Sequence, residues 1–423
     1  MAGGLMQLVA YGAQDVYLTG NPEVTFFQAK YKRHTNFAME NIEQTVNGTA
    51  ANSGRVSVTV ARNGDLVGDM YIQLESDEAT TATAQAADCN WVAERAVNNV
   101  ELSIGGQRID KHYQKWWRMY SELYLDEAKK ATWGKMTTAG DGKTVYLPLI
   151  FFFNRNPGLY LPLIALQYHE VRLDFDLASN FTTYLNAGVF KVWANYVYLD
   201  TEERRRFAQK GHEYLIEQVQ HTGTDTVTSA GTKQVRLSYN HPVKELVWCF
   251  SNTQTNNGMW NFTTASTDTN IRLESNQLLV AHHNNGSNCF VNTASSGTPM
   301  VLVGKGEGTQ TAFTEEACGP LNTFKLILNG QDRFKEQAGK YFNQVQPYNH
   351  HTGCPYPGIY SYSFALKPEE HQPTGTCNFS RIDNAQVQVV ANTLNNATSL
   401  HMFATNYNVL RIQSGMGGLA FSN

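Results

Sequence analysis

Charge is scarce in this chain. Of its 423 residues 17% are charged, 37 acidic against 33 basic, leaving a formal net charge of −4. Without a surplus of lysine and arginine no broad positive field attracts nucleic acid, so direct sequence-specific nucleic-acid binding is not expected. Cysteine is sparse too. Cys89, Cys249, Cys289, Cys318, Cys354 and Cys377 lie far apart and none forms C-x-x-C, which gives no support to a zinc ribbon or a thioredoxin-like site. They read mostly as reduced thiols, with a disulfide in the second half left open should the protein leave the cell. No basic start with an apolar core opens the chain, so no secretory signal is expected. Long apolar runs are missing as well. Tyr146 to Phe153 gives way to Asn154-Arg155-Asn156-Pro157, short of the roughly 18–20 residues that span a bilayer. A soluble protein made in a cytosol is the expectation, long enough for two domains that each bury a core.

Catalytic motifs are equally scarce. His169-Glu170 lacks the second histidine of H-E-x-x-H, and His282-His283 and His350-His351 are adjacent pairs that read as surface or loop histidines. There is no G-x-S-x-G elbow and no phosphate-binding loop, and Gly415-Met416-Gly417-Gly418 sits too near the end to open a dinucleotide-binding unit. Asp174 and Asp176 share one face of a strand and could pair as glycosidase carboxylates. Solvent-facing charges, or partners for nearby arginines, explain them more cheaply. No catalytic residue, cofactor or metal ligand is therefore assigned. Lys30-Tyr31-Lys32-Arg33-His34 is a basic cluster with one aromatic, readable as a phosphate or lipid-headgroup contact or as an ordinary solvated patch.

What is present is alternation. Val171, Leu173, Phe175 and Leu177 share one strand face; Val56, Val58 and Val60 repeat the pattern, as do Val387 and Val389. Such period-two segments, with Asn47-Gly48, Asn63-Gly64 and Asn329-Gly330 as turn signals, predict antiparallel sandwiches. One helix is expected from Ile109 to about Trp133, striped by Tyr113, Trp116, Trp117, Tyr120, Leu123 and Tyr124 and packed on its own sheet. Asp200 to Arg206 reads as a capped helix start linking two halves, with the boundary near Gln209–Gly211. Ser251–Gly319, rich in Asn, Thr, Ser and Gly, is expected to form long exposed loops, with shorter ones at Asp77–Asn90, Thr137–Lys143 and Thr393–Ser399.

The chain also repeats itself. Ile42-Glu43-Gln44 returns as Ile216-Glu217-Gln218, Arg55–Val60 as Gln234–Tyr239, Glu101–Arg108 as Lys325–Asp332, and Ala194-Asn195-Tyr196 as Thr405-Asn406-Tyr407. A period of roughly 200 residues exceeds any solenoid unit and fits two whole domains of one fold in tandem.

Several stretches carry a family resemblance. Ala10-Tyr11-Gly12-Ala13-Gln14-Asp15-Val16-Tyr17-Leu18-Thr19-Gly20-Asn21-Pro22, Gly105-Gly106-Gln107-Arg108-Ile109-Asp110-Lys111-His112-Tyr113, and Leu147-Pro148-Leu149-Ile150-Phe151-Phe152-Phe153-Asn154 are three of them. Leu161 to Val171, Asn378 to Asn384 and Asn406 to Ala420 continue the match over nearly the whole chain. The sequence resembles the major capsid proteins of nucleocytoplasmic large DNA viruses, the chlorella-virus type above all. The resemblance implies an all-β fold of two tandem eight-stranded antiparallel jelly rolls with a few short helices in loops. It places an N-terminal arm over 1–24 and the rolls over 25–210 and 211–423. It implies a homotrimer with a nearly hexagonal outline that meets neighbouring capsomers in an icosahedral shell, assembled in the host cytoplasm. Ser251–Gly319 would face outward, and Ala10 to Arg33 would face minor capsid proteins and an internal viral membrane. It also implies covalent N-linked glycans. Of the six sequons, at Asn47, Asn180, Asn261, Asn285, Asn378 and Asn396, the candidates are Asn261, Asn285 and Asn396, while Asn378 reads as structural. A jelly-roll protein that binds glycans for host attachment is the alternative, and a glycosidase using Asp174 or Asp176 the enzymatic one.

Overall fold

A computed structural model describes residues 3–76, 91–138, 144–227, 231–252, 259–260, 262, 290–291, 301–302, 320–353, 355, 358–391 and 398–421. The chain divides into two compact units, Met1–Asn36 and Phe37–Asn423. The first holds two short helices, Gly3–Val9 and Val16–Thr19, with no buried residue in either.

In the second unit the expected alternation becomes sheet. The first half contributes β1 (Phe37–Gln44), β2 (Arg55–Thr59), β3 (Leu66–Ser76), β4 (Val97–Ile104), β5 (Gln107–Tyr113), β6 (Thr144–Pro148), β7 (Val171–Leu177) and β8 (Leu185–Leu199). They form one sheet in the order β1-β8-β3-β6 and another containing β2-β7-β4-β5. The second half contributes β9 (His212–Val227), β10 (Gly231–Leu237), β11 (Pro242–Asn252), β12 (Leu321–Leu328), β13 (Gln331–Asp332), β14 (Ile359–Ser363), β15 (Ala385–Ala391) and β16 (Thr398–Gln413). Its sheets run β9-β16-β11-β14 and β10-β15-β12-β13. Adding eight to each strand number of the first half reproduces the second. Each half is a jelly roll, and the molecule is a double jelly roll.

Inward side chains seal each roll. Val56, Ile72, Val100, Leu173, Phe175 and Val192 are buried in the first. In the second, Val235, Leu246, Leu326 and Val387 surround Trp248, whose ring stacks on Phe324 with centroids 4.3 Å apart. The repeated segments fall on equivalent strands, and one pair matches rung for rung. Gly105-Gly106 (φ 58° and 83°) turns between the partners Ile104 and Gln107, and Asn329-Gly330 (φ 50° and 81°) between Leu328 and Gln331. These left-handed turns suit the right-handed twist of a hairpin. Elsewhere the rungs slip: Ile42 faces Ala194, but Ile216 faces Asn408.

The single helix expected from Ile109 is corrected. Residues 107–113 are strand β5, drawn into the hairpin with β4, and helices follow at Gln114–Leu123 and Glu127–Thr137. They are separate because Asp126 caps the second, its Oδ1 accepting from Lys129 N at 2.7 Å. The polar face also proves buried, since Arg118 and Glu122 are 2% exposed. Asp200 does precede the helix Thr201–Gln209, yet its side chain makes no capping bond. Asn63-Gly64 is not a positive-φ turn either; Gly64 is needed because a Cβ there would stand 2.8 Å from Tyr196.

Candidate functional site

The sites that sequence suggested for chemistry are structural where the structure describes them. Asp174 Oδ1 lies 2.9 Å from an Arg172 amine and its other oxygen 3.6 Å from Arg55, which also reaches Asp176 at 3.8 Å. His169 Nδ1 sits 2.8 Å from the Gly417 carbonyl oxygen, tying the C-terminal hairpin to the first roll. Burial pushes the Cys249 thiol up to about 12, and Cys377 is also free. Among the described residues no group of three or more His, Cys, Asp or Glu could hold a metal ion. Asn261, Asn285, Asn396, His282, His283 and most of Ser251–Gly319 lie outside the described residues. Asn378 Oδ1 accepts from Ser380 N at 3.0 Å, the role of a local cap.

The densest chemistry lies where the rolls meet. The helix Gln114–Leu123, expected to pack only on its own sheet, is wedged between the two halves. Trp117 Nε1 donates to the Pro148 carbonyl at 3.3 Å on one side. On the other, Tyr113 and Trp116 pack on Phe403 of β16, with centroids 5.9 and 5.8 Å away. Beside this seam Glu217 of β9 receives Arg155 at 2.9 Å and Lys244 at 2.7 Å. Burial would raise the Glu217 carboxyl, but these two cations hold it below the usual range. The fully buried His351 side chain sits between Glu245, against its Nε2, and Glu369, 3.1 Å from its Nδ1. Burial opposes its charge, yet the two carboxylates outweigh that and lift it to about 9. The Tyr124 hydroxyl donates to the other oxygen of Glu245, and Gly353 N donates to the Leu123 carbonyl at 3.1 Å.

A cleft of about 310 Å³ opens next to this network, lined by Tyr120, Tyr124, Arg155, Glu217, Glu369 and His371. Arg155 answers Glu217 across the seam, as the Tyr124 hydroxyl answers Glu245, and these contacts fix one roll against the other. Sequence reasoning missed it, reading His351 as a loop histidine. Its partner Glu245 lies 106 residues away, a distance at which spacing carries no signal.

One further surface stands out. The outer face of the β1-β8-β3-β6 sheet presents Phe37, Met39, Tyr71, Tyr146 and Trp193 to solvent. Trp193 Nε1 donates to Gln73 Oε1 at 2.8 Å, and the Tyr71 hydroxyl to Asn41 Oδ1 at 3.3 Å.

Two family profiles match the chain: "Large eukaryotic DNA virus major capsid protein" over residues 203–418 and "Major capsid protein N-terminus" over 25–200. The major capsid protein of Paramecium bursaria Chlorella virus 1 is 44% identical over 100% of both chains, and that of Phaeocystis pouchetii virus 41% over 100% of both. The solved PBCV-1 virus capsid contains a chain that superposes with a TM-score of 0.76 at 39% identity, covering 94% of this chain and 100% of that one. The Faustovirus major capsid protein shares the fold, with a TM-score of 0.68 at 11% identity over 97% and 96% of the two chains.

Proposed function

Because this chain belongs to the large eukaryotic DNA virus major capsid proteins, and so builds the capsid of the virion, we propose that its working unit is a homotrimer that tiles the facets as a near-hexagonal block. The observation that carries this reading is the doubled strand circuit. Three copies of two like rolls present six like lobes, and a six-lobed block packs a plane without gaps. In this reading residues 25–210 and 211–423 are the two rolls, divided near Gln209–Gly211, and side chains act as shape and adhesive with no turnover.

The same reading turns Ala10 to Arg33 toward minor capsid proteins and an internal membrane. Exposed Phe26, Phe27 and Tyr31 beside Lys30, Lys32 and Arg33 support it, since apolar and cationic groups together suit a lipid headgroup layer. Glycans at Asn261, Asn285 and Asn396, and assembly in the host cytoplasm, complete it. Size-exclusion chromatography with light scattering should give three times the chain mass of 47.3 kDa. A stable monomer at micromolar concentration and physiological salt would refute the trimer. Intact-mass measurement of virion protein tests the glycans, which would add mass removed by Asn→Gln changes at those three positions.

A further inference from the structure

Where the helix Gln114–Leu123 meets the second roll, nitrogen bases gather without an acid. His221 on β9 and His401 on β16 stack with ring centroids 5.8 Å apart and planes 13° from parallel. His221 also packs on Tyr113 of the first roll, 4.9 Å between centroids, and on Phe403 at 4.5 Å. Its Nε2 is buried and has no hydrogen-bond partner among the described residues. His401 Nε2 has the Ser251 hydroxyl at 2.7 Å. The first roll adds Lys115, whose ammonium lies 5.6 Å over the Trp260 ring and 5.5 Å over that of Phe262.

Among the described residues no carboxylate acts on any of the three. The charged groups felt by His401 are Lys115 and His221, and those beside Lys115 are Cys249 and Arg95. A cleft of about 370 Å³, lined by Arg108, Asp110, Lys111, Tyr113 and His221, brings solvent to the rim of the pair. Its single carboxylate is taken, since Asp110 accepts from Val219 N at 3.0 Å and meets His112 Nε2 at 2.9 Å. Burial therefore pushes His221 down to about 4, and burial with its cationic neighbours pushes His401 down to about 3.

We propose that this histidine pair is an acid-sensitive latch between the rolls: both rings are neutral while the seam is closed, and acid parts the helix Gln114–Leu123 from β9 and β16 by charging them once they reach water. An exposed imidazole titrates at its ordinary value, so the open form binds more protons. Stabilisation of the closed seam is whole above about pH 6.5 and is lost as the pH falls toward 4 and 3. Between pH 7 and 5 the opening constant should rise on the order of 10²-fold. Other charges at the seam do not offset this. Glu217 is held below the usual carboxylate range and stays ionised at pH 5, and His351 keeps both its carboxylates, which belong to its own roll. The latch lies within one chain and stands whether or not three chains join.

Hydrogen exchange of the full chain, read by mass spectrometry as protection relative to free peptide at each pH, tests it. Protection of residues 114–123 should fall on the order of 10²-fold from pH 7 to 5, while β7 and β15 inside the rolls change less than about threefold. With His221→Gln and His401→Gln together, the helix too should change less than about threefold. If that chain loses its β-sheet circular dichroism, either single substitution serves and should cut the fall to about tenfold. A parent helix whose protection moves less than about threefold overturns the latch. So does a fall shared equally by helix and strands, which is general acid unfolding, and so does a variant that falls as far as the parent.

Discussion

A methyl group at position 353 would stand 2.3 Å from the Glu122 carbonyl oxygen and 2.7 Å from that of Leu123. Both are backbone atoms and cannot swing aside, so Gly353 is what lets its loop close on the first roll. Gly353→Ala should cost about 1–3 kcal/mol by overpacking, read as a lower midpoint in urea. Beside it His351 makes the seam sensitive to alkali. Its folded pKa of about 9 lies above its ordinary 6.5, so its contribution is complete below pH 6.5 and lost as the pH rises through about 9. The groups facing it are Glu245, Glu369 and Tyr124. Thermal melts from pH 6 to 10 should show the parent losing on the order of 3 kcal/mol, while His351→Gln melts lower at pH 7 with a flatter profile. Parallel profiles would show that His351 does not carry the effect.

At the scale of elements, the helical insert is pinned by one buried cation. Arg118 lies 3.9 Å over the Trp91 ring, 3.3 Å from Glu94 and 3.0 Å from Glu122. Trp133 from the next helix donates to the same Glu94 oxygen at 2.6 Å. One guanidinium therefore joins the segments around 91–96 and 114–123, and through Glu94 the helix 127–137. Arg118→Leu leaves buried Glu94 without its ion-pair partner and Glu122 with Lys130 alone, 3.5 Å away, and should cost about 3–5 kcal/mol, measured by denaturant unfolding. Asp126→Ala, which removes only a helix cap, should cost about 1 kcal/mol. Equal effects would mean the buried pairing contributes no more than an exposed cap.

Across the whole molecule the rolls are joined by more than their linker. The helix Thr201–Gln209 that bridges them buries none of its residues, whereas Phe403, Glu217, Glu245 and His351 bind them side to side. A protease site cut at Lys210-Gly211 should therefore leave two fragments that co-elute. Residues 211–423 made alone would bare Val247, Cys249 and Phe403 and should aggregate. Fragments that separate cleanly in native buffer would show the seam to be weaker than its contacts imply.

Alternation, turn pairs and the internal repeat were legible in the sequence because each is local: Val56 and Val58, or Asn329-Gly330, declare strand and turn through near neighbours. They were enough for two β-sandwiches in tandem. Local pattern misled at Ile109–Tyr113, where helical spacing of aromatics yielded to the pairing partner that β4 supplied. What only the tertiary structure decided is the seam. Tyr124 with Glu245, Arg155 with Glu217 and Gly353 with Leu123 are brought together across separations of 62 to 230 residues. Which faces meet depends on closing both rolls at once, and no stretch of chain encodes that closure by itself.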